Sequence, residues 1–249
     1  MARVRSGPLA AWTAAWIAGR VSVDQVVDAV TGSDARHQVA GLGPEVVPLR
    51  EVLIAWRRSG EPVRAVLPAA GDLRGLPGPA RFRSAALDAG ETVGTATLGI
   101  VPEVTDYAPS SNPTAVVWHA YLTEPPQPDP LTVAEAQHDL VTAIRECASA
   151  LAAAEVAGGA AGLAEPLREA RRAGDYVNLP PGFPSRAVGL LSQAERMQAL
   201  LDLALADPRG GAVDRAGIAA RSDALRPLAV AVRRARMAAY NACVVEPGP

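Results

Sequence analysis

From Glu124 to Pro130 the chain reads Glu-Pro-Pro-Gln-Pro-Asp-Pro. Proline lacks a backbone N–H and fixes φ at about −65°, so neither a helix nor a central strand continues through such a run. The segment is a stiff, extended spacer between two halves of different character. Residues 1–123 mix helical and strand patterns, residues 124–131 are the spacer, and residues 132–249 read as helix. The two halves can still share one core.

The first half opens on helices. Leu9, Trp12 and Trp16 recur at helical spacing in a charge-free stretch from Ser6 to Gly19, which predicts a helix over Leu9–Ala18. Arg3 and Arg5 ahead of that stretch give it a likeness to a secretory signal. No small-x-small cleavage motif is clearly placed, however, and a well-capped helix follows at once, so the expectation is a cytoplasmic protein. Ser22-Val-Asp-Gln25 is a capping box, in which hydroxyl and carboxamide each satisfy the other residue's free backbone N–H. A third helix fits Pro48–Arg58, with Val52, Leu53 and Trp56 inward and Gly60 as its stop. Pro62–Ala69, Glu91–Val101 and Thr114–Leu122 are rich in Val and Thr and predict three strands, with a short helix over Ala80–Ala89 between the first two. Pro102–Pro113 reads as a long polar loop, a kind of connection that often carries function.

Beyond the spacer, Thr132-Val-Ala-Glu135 is a second capping box, opening a helix with Leu140, Ile144, Cys147 and Leu151 on one face. A shorter helix follows over Pro166–Ala173, and Ser192-Gln-Ala-Glu195 reads as the start of another. On the last, Ser222–Ala242, the residues Leu225, Leu228, Val232, Ala235 and Ala239 form a stripe that should pack on the helix beginning at Ser192. Val230 and Met237 lie well round the cylinder from that stripe, which predicts a homodimer burying this second apolar face. The expected fold is therefore helix-rich α+β: a small, mostly antiparallel sheet of about three strands packed with helices, followed by a helical C-terminal half.

Composition removes several kinds of chemistry. The 249 residues include 24 Lys+Arg, every one of them Arg, against 26 acidic residues, for a net charge of −2. Without lysine there is no Schiff-base amine, no P-loop lysine and no Ser-x-x-Lys nucleophile. The near-neutral balance weighs against a nucleic-acid partner, and no apolar run is long enough to cross a bilayer. An Arg-only, Ala-rich chain also suits a high-G+C bacterial genome.

The remaining motifs are sparse. Glu135-x-x-His138 has metal-ligand spacing on a helix but lacks the second copy a carboxylate-bridged centre needs, and Asp34-Ala-Arg-His37 lies in an expected loop. Cys147 and Cys243 stand far apart with no Cys-x-x-Cys pair, and neither Gly41-Leu-Gly43 nor the glycines of 158–162 follow a strand as a phosphate loop would. No metal, cofactor or catalytic residue is assigned. His119 is the exception worth weighing, because it follows Trp118 on a predicted strand with Asp106 and Tyr107 in the loop before it. A carboxylate can fix a histidine's tautomer and raise its basicity. Two readings follow. One is a non-enzymatic binding or assembly protein. The other is an enzyme or sensor with a small-molecule site between the middle sheet and loop 102–113, formed by Asp72, Asp106, Tyr107 and His119.

Overall fold

The computed structural model describes residues 3–108, 111–124, 131–153, 164–206 and 215–244, with side chains for all of these except 106–108, 111–113, 164 and 215–218. The described residues within 3–124, 178–183 and 240–244 form one compact unit, and those within 131–177 and 184–239 form another.

The first unit is built on a six-stranded sheet of order β2-β1-β6-β5-β4-β3. Its strands are β1 (Arg36–Ala40), β2 (Val47–Pro48), β3 (Arg64–Val66), β4 (Thr92–Gly94), β5 (Leu98–Ala108) and β6 (Ser111–Leu122). Four of the five pairings are antiparallel; β1 and β6 run parallel. The expected α+β class and mostly antiparallel character hold, but the sheet has six strands where three were expected. Three differences from the expected sheet have physical reasons, the first two of which add a strand each. Arg36–Ala40 has no run of β-branched residues, and its partner β6 lies far along the chain. The stretch Glu91–Val101 is two strands, because the Thr95 N–H turns back to the Leu98 carbonyl at 3.0 Å. Residues 102–108 and 111–113 of the expected loop instead belong to the long antiparallel pair β5–β6, with Pro102 opposite Trp118 and Ala108 opposite Ser111.

Four helices belong to this unit: α1 (Ser6–Ile17), α2 (Val23–Thr31), α3 (Leu49–Ser59) and α4 (Ala80–Ala89). The signal-like stretch is α1, apolar on every side and buried from Ser6 through Ala11, as a central helix must be. The Ser22–Gln25 capping box forms at α2, and α3 closes on Gly60, whose φ of +69° is a left-handed cap. Residues directly opposite one another in a ladder share a face. Val39, Trp118, Val116, Ile100 and Val93 therefore point together into a core with Leu9, Val26, Val30, Leu53 and Trp56. On the other face Phe82 of α4 packs on Tyr121 at 5.5 Å, and a Cβ on Gly99 would meet its ring at 2.6 Å. Gly99 is the hole that Phe82 fills.

The second unit holds α5 (Val133–Ala153), α6 (Ala164–Arg172), α7 (Ser185–Ala206) and α8 (Arg215–Tyr240) through Ala239. The Thr132–Glu135 capping box forms as expected. Ser192 does not cap anything. Helix α7 already starts at Ser185, with Val188 N–H bonding the Pro184 carbonyl, because Ala187, Leu190 and Leu191 ahead of Ser192 are themselves buried. A Cβ on Gly174 would come within 2.1 Å of the Ser192 carbonyl, so the loop before α7 passes directly over it. On α8 the stripe Leu225, Leu228, Val232, Ala235 and Ala239 is buried. Arg236 pairs with Glu195 at 2.9 Å and Arg221 bonds the Ala204 carbonyl at 2.8 Å, so α8 does lie along α7.

Asn178 fixes its segment onto the sheet unit twice. Its Oδ1 accepts from Trp12 Nε1 at 2.9 Å and its Nδ2 donates to the Ala29 carbonyl at 2.7 Å. Replacing Asn178 with Ala leaves both partly buried groups unsatisfied. The expected loss is about 1–3 kcal/mol of unfolding free energy, measured by urea titration; an unchanged midpoint contradicts this role.

Candidate functional site

A cluster of buried ionisable groups lies where α1 and β1 begin, beside Thr114 of β6. Helix α1 has no side-chain cap of its own. Instead the backbone N–H groups of Arg5 and Ser6 both donate to Glu91 Oε2, at 2.8 and 2.7 Å. A carboxylate at a helix N-terminus meets unpaired N–H groups and the positive end of the dipole. Burial pushes the Glu91 carboxyl above the usual range, and these backbone bonds oppose that rise.

The Arg5 side chain reaches the next carboxylate. Its Nε and Nη2 donate to Asp34 Oδ2 and Oδ1, both at 2.9 Å, in the two-pronged geometry that suits guanidinium and carboxylate. Nη2 also reaches Thr114 Oγ1 at 3.2 Å, and the Thr114 hydroxyl donates to Asp34 Oδ1. His37 completes the group. Its Nδ1 faces Trp118 Nε1 at 3.2 Å and its Nε2 faces Asp34 Oδ2 at 3.0 Å. An indole nitrogen only donates, so His37 Nδ1 is the acceptor and the proton sits on Nε2, directed at Asp34. Burial would raise the Asp34 carboxyl, but the bonds from Arg5, Thr114 and His37 outweigh it and hold Asp34 far below the usual range. Burial depresses His37, with Asp34 opposing. Arg5, Asp34 and His37 are each no more than 8 % exposed. Both nitrogens of a neutral, buried imidazole are thus engaged, so His37 has no basic lone pair to offer a substrate.

The residues singled out from sequence lie elsewhere. His119 sits on the face of β6 opposite to Trp118, as alternation requires, and its Nε2 lies 2.6 Å from Glu103 Oε2. Both partners are well exposed, at 41 % and 60 % of their side chains. Asp106 pairs with Thr114 and His119 with Val101, five register steps apart. Asp106 and Tyr107 therefore belong to β5 rather than to a loop; their side chains lie outside the described residues. Asp72 lies in the bridged turn Ala69–Asp72 after β3 and is bound by Arg74 at 2.9 Å. No group of metal-ligating side chains occurs among the described residues, and Cys147 and Cys243 are free thiols.

Two family models match the chain in succession: the Rv1486c-like protein N-terminal domain over residues 6–133 and the C-terminal domain over residues 134–237. The chain belongs to the Rv1486c-like family. Its relatives include Rv1486c of Mycobacterium tuberculosis strain H37Rv, 30 % identical, and MT1533 of strain CDC 1551, 31 % identical. ML1804 of Mycobacterium leprae is 29 % identical. Each alignment covers 94 % of this chain and 95 % of the relative. No solved structure matches. Among the described residues of this Rv1486c-like chain, no helix is long and apolar enough to cross a membrane.

Sequence reasoning missed Arg5, Asp34, Glu91 and Thr114 as one cluster, because they are scattered over more than a hundred positions. Two signals were present: a charged Arg5 entering an otherwise apolar stretch, and the i, i+3 spacing of Asp34 and His37.

Two outcomes follow. Arg5→Met strands the Asp34 carboxylate in the interior and should cost about 3–5 kcal/mol, read by chemical denaturation, with little loss for an exposed control such as Arg20→Met. His37 has a folded pKa below its unfolded value, so its contribution is complete above the unfolded pKa of about 6.5 and is lost as pH falls through and below it. The stability advantage of wild type over His37→Gln, measured at several pH values, should therefore shrink on acidification from pH 8. Glu91 shifts the other way but is common to both proteins and drops out of the difference.

Proposed function

We propose that this Rv1486c-like protein is a non-enzymatic binding and assembly protein of the bacterial cytoplasm that works as a homodimer. One observation carries the reading. On α8 the Leu225–Ala239 stripe is buried, whereas Val230 and Met237 on another side remain partly exposed. Apolar side chains left over once a helix has packed are what a two-fold interface uses. The buried ionisable groups support a role without catalysis, since Arg5, Asp34, His37 and Glu91 are each held by protein partners. Free thiols at Cys147 and Cys243 suit a reducing compartment. The net charge of −2 gives nucleic acid no general attraction.

A second reading keeps the small-molecule site. His119 and Glu103 form a hydrogen-bonded pair on the sheet face, and Tyr121 lies two residues along the same strand on the same face. Such a pair can hold a polar ligand or relay a proton.

Light scattering after size exclusion separates the two. The expected result is a dimer mass that falls to a monomer in the double change Val230→Glu, Met237→Glu with the circular dichroism unchanged. A wild-type monomer at micromolar concentration would sink the assembly reading. In a thermal-shift screen of metabolites, any stabilisation that disappears in His119→Ala favours the second reading; a hit that survives the change places the ligand elsewhere.

A further inference from the structure

The sheet ends at β3, and the outer edge of β3 is not open. Ala65 N–H donates to Asn241 Oδ1 at 2.9 Å, and Asn241 Nδ2 donates to the Ala65 carbonyl at 2.9 Å. In an antiparallel strand the N–H and C=O of one residue point to the same side, and successive residues alternate. Ala65 therefore points away from β4, while Arg64 and Val66 turn toward Gly94 and Thr92. In a strand of three residues Ala65 is the single outward unit, and one carboxamide supplies the acceptor and donor that a neighbouring strand would have given it.

The segment that carries Asn241 is itself locked. Tyr240, the last residue of α8, is buried, and a Cβ added to Gly7 would lie 2.4 Å from its ring. Glycine at this position lets the aromatic ring lie against the backbone of α1 and delivers the next residue to β3. The side chains of Val63, Ala65, Val66 and Leu67 are all buried, Val63 and Ala65 in the core with Leu9 and Trp16, so what Asn241 covers is the backbone edge at Ala65. With Asn241 withdrawn, that unpaired N–H and C=O would be open to pairing with another strand.

We propose that Asn241 acts as a strand mimic that keeps β3 closed to self-association, and that withdrawing it lets β3 pair antiparallel with β3 of a second copy. The second copy is the occupant because the edge is self-complementary. A two-fold axis through Ala65 places each chain's outward N–H opposite the other's outward C=O, satisfying both without a further sequence. The same edge would offer nothing equivalent to a helix or to an apolar ligand.

The test compares molar mass by light scattering across a concentration series for the full chain. Asn241→Leu keeps the volume of the side chain but removes both hydrogen bonds, and should double the wild-type mass while retaining the circular dichroism of the fold. Gly7→Ala, which pushes Tyr240 away and leaves Asn241 intact, should do the same. Adding Ala65→Pro to Asn241→Leu removes the outward N–H at an edge position where proline is tolerated, and should return the mass to the wild-type value. Should Asn241→Leu fail to fold, Asn241→Asp replaces it, keeping size and acceptor while losing the donor. Folded variants with wild-type mass would overturn the proposal. A doubled mass that persists in the Ala65→Pro combination would overturn it equally, since the contact would then lie on another surface.

Discussion

The two-pronged bond between Arg5 and Asp34 is the interaction on which the sheet unit depends. Strands β1 and β6 are a parallel pair inside an otherwise antiparallel sheet, and a parallel pair cannot be registered by a tight turn. Its register must come from tertiary contacts. Asp34 stands two residues before β1, and Thr114 one residue before Ala115, the first residue of β6 that pairs with β1, opposite Arg36. The two meet through Arg5, and Ala35 N–H bonds the Thr114 carbonyl at 2.7 Å alongside them. A slip of β1 by one residue would turn His37 and Val39 to the face opposite Trp118 and leave Asp34 buried without its donors. Replacing a buried ion pair by apolar groups is often nearly neutral in energy, so such a network matters chiefly for which arrangement it permits.

How much of this could be read from the chain depends on how far apart the cooperating residues lie. The capping boxes at Ser22 and Thr132 and the stop at Gly60 were legible because each is settled within four residues. The same grammar misled at Ser192, where a Ser-x-x-Glu pattern falls inside a helix whose upstream residues have apolar burial of their own. Residues 102–108 and 111–113 carry no two-residue periodicity to mark them, since their strand character comes from pairing between β5 and β6. The same non-local pairing decides which carboxylate lies beside His119. The nearest in the expected loop was Asp106, whereas the register brings Glu103 across the ladder. Strand alternation, a purely local rule, requires Trp118 and His119 to lie on opposite faces, and Trp118 is the buried one and His119 the exposed one.

The low aromatic content, 4 % of residues, makes the few rings more consequential than their number suggests. Trp56 and Trp118 are the largest fully buried side chains, and each has a polar outlet: Trp56 Nε1 on the Leu98 carbonyl at 3.2 Å, Trp118 Nε1 on His37. An indole N–H buried without an acceptor would cancel much of the gain from burying its ring. His37 is needed as an acceptor for Trp118 as much as a donor to Asp34, and only the neutral imidazole with its proton on Nε2 does both.

Fixing one stretch of chain to another calls for a different group from the one that joins three. Asn178 and Asn241 each present a carboxamide whose oxygen accepts and whose nitrogen donates, so each satisfies an opposed pair of partners within one side chain. A carboxylate in either place could accept but not donate, and would bring a charge that burial penalises. Around Asp34 the demand is reversed: Arg5, Thr114 and His37 all arrive as donors, and only an ionised carboxylate has lone pairs enough to receive them. The choice between amide and acid at these buried positions is therefore set by the polarity of the groups that converge there. That is why the acid lies where α1 and β1 begin beside β6, while the amides lie where the later chain segments join the sheet unit.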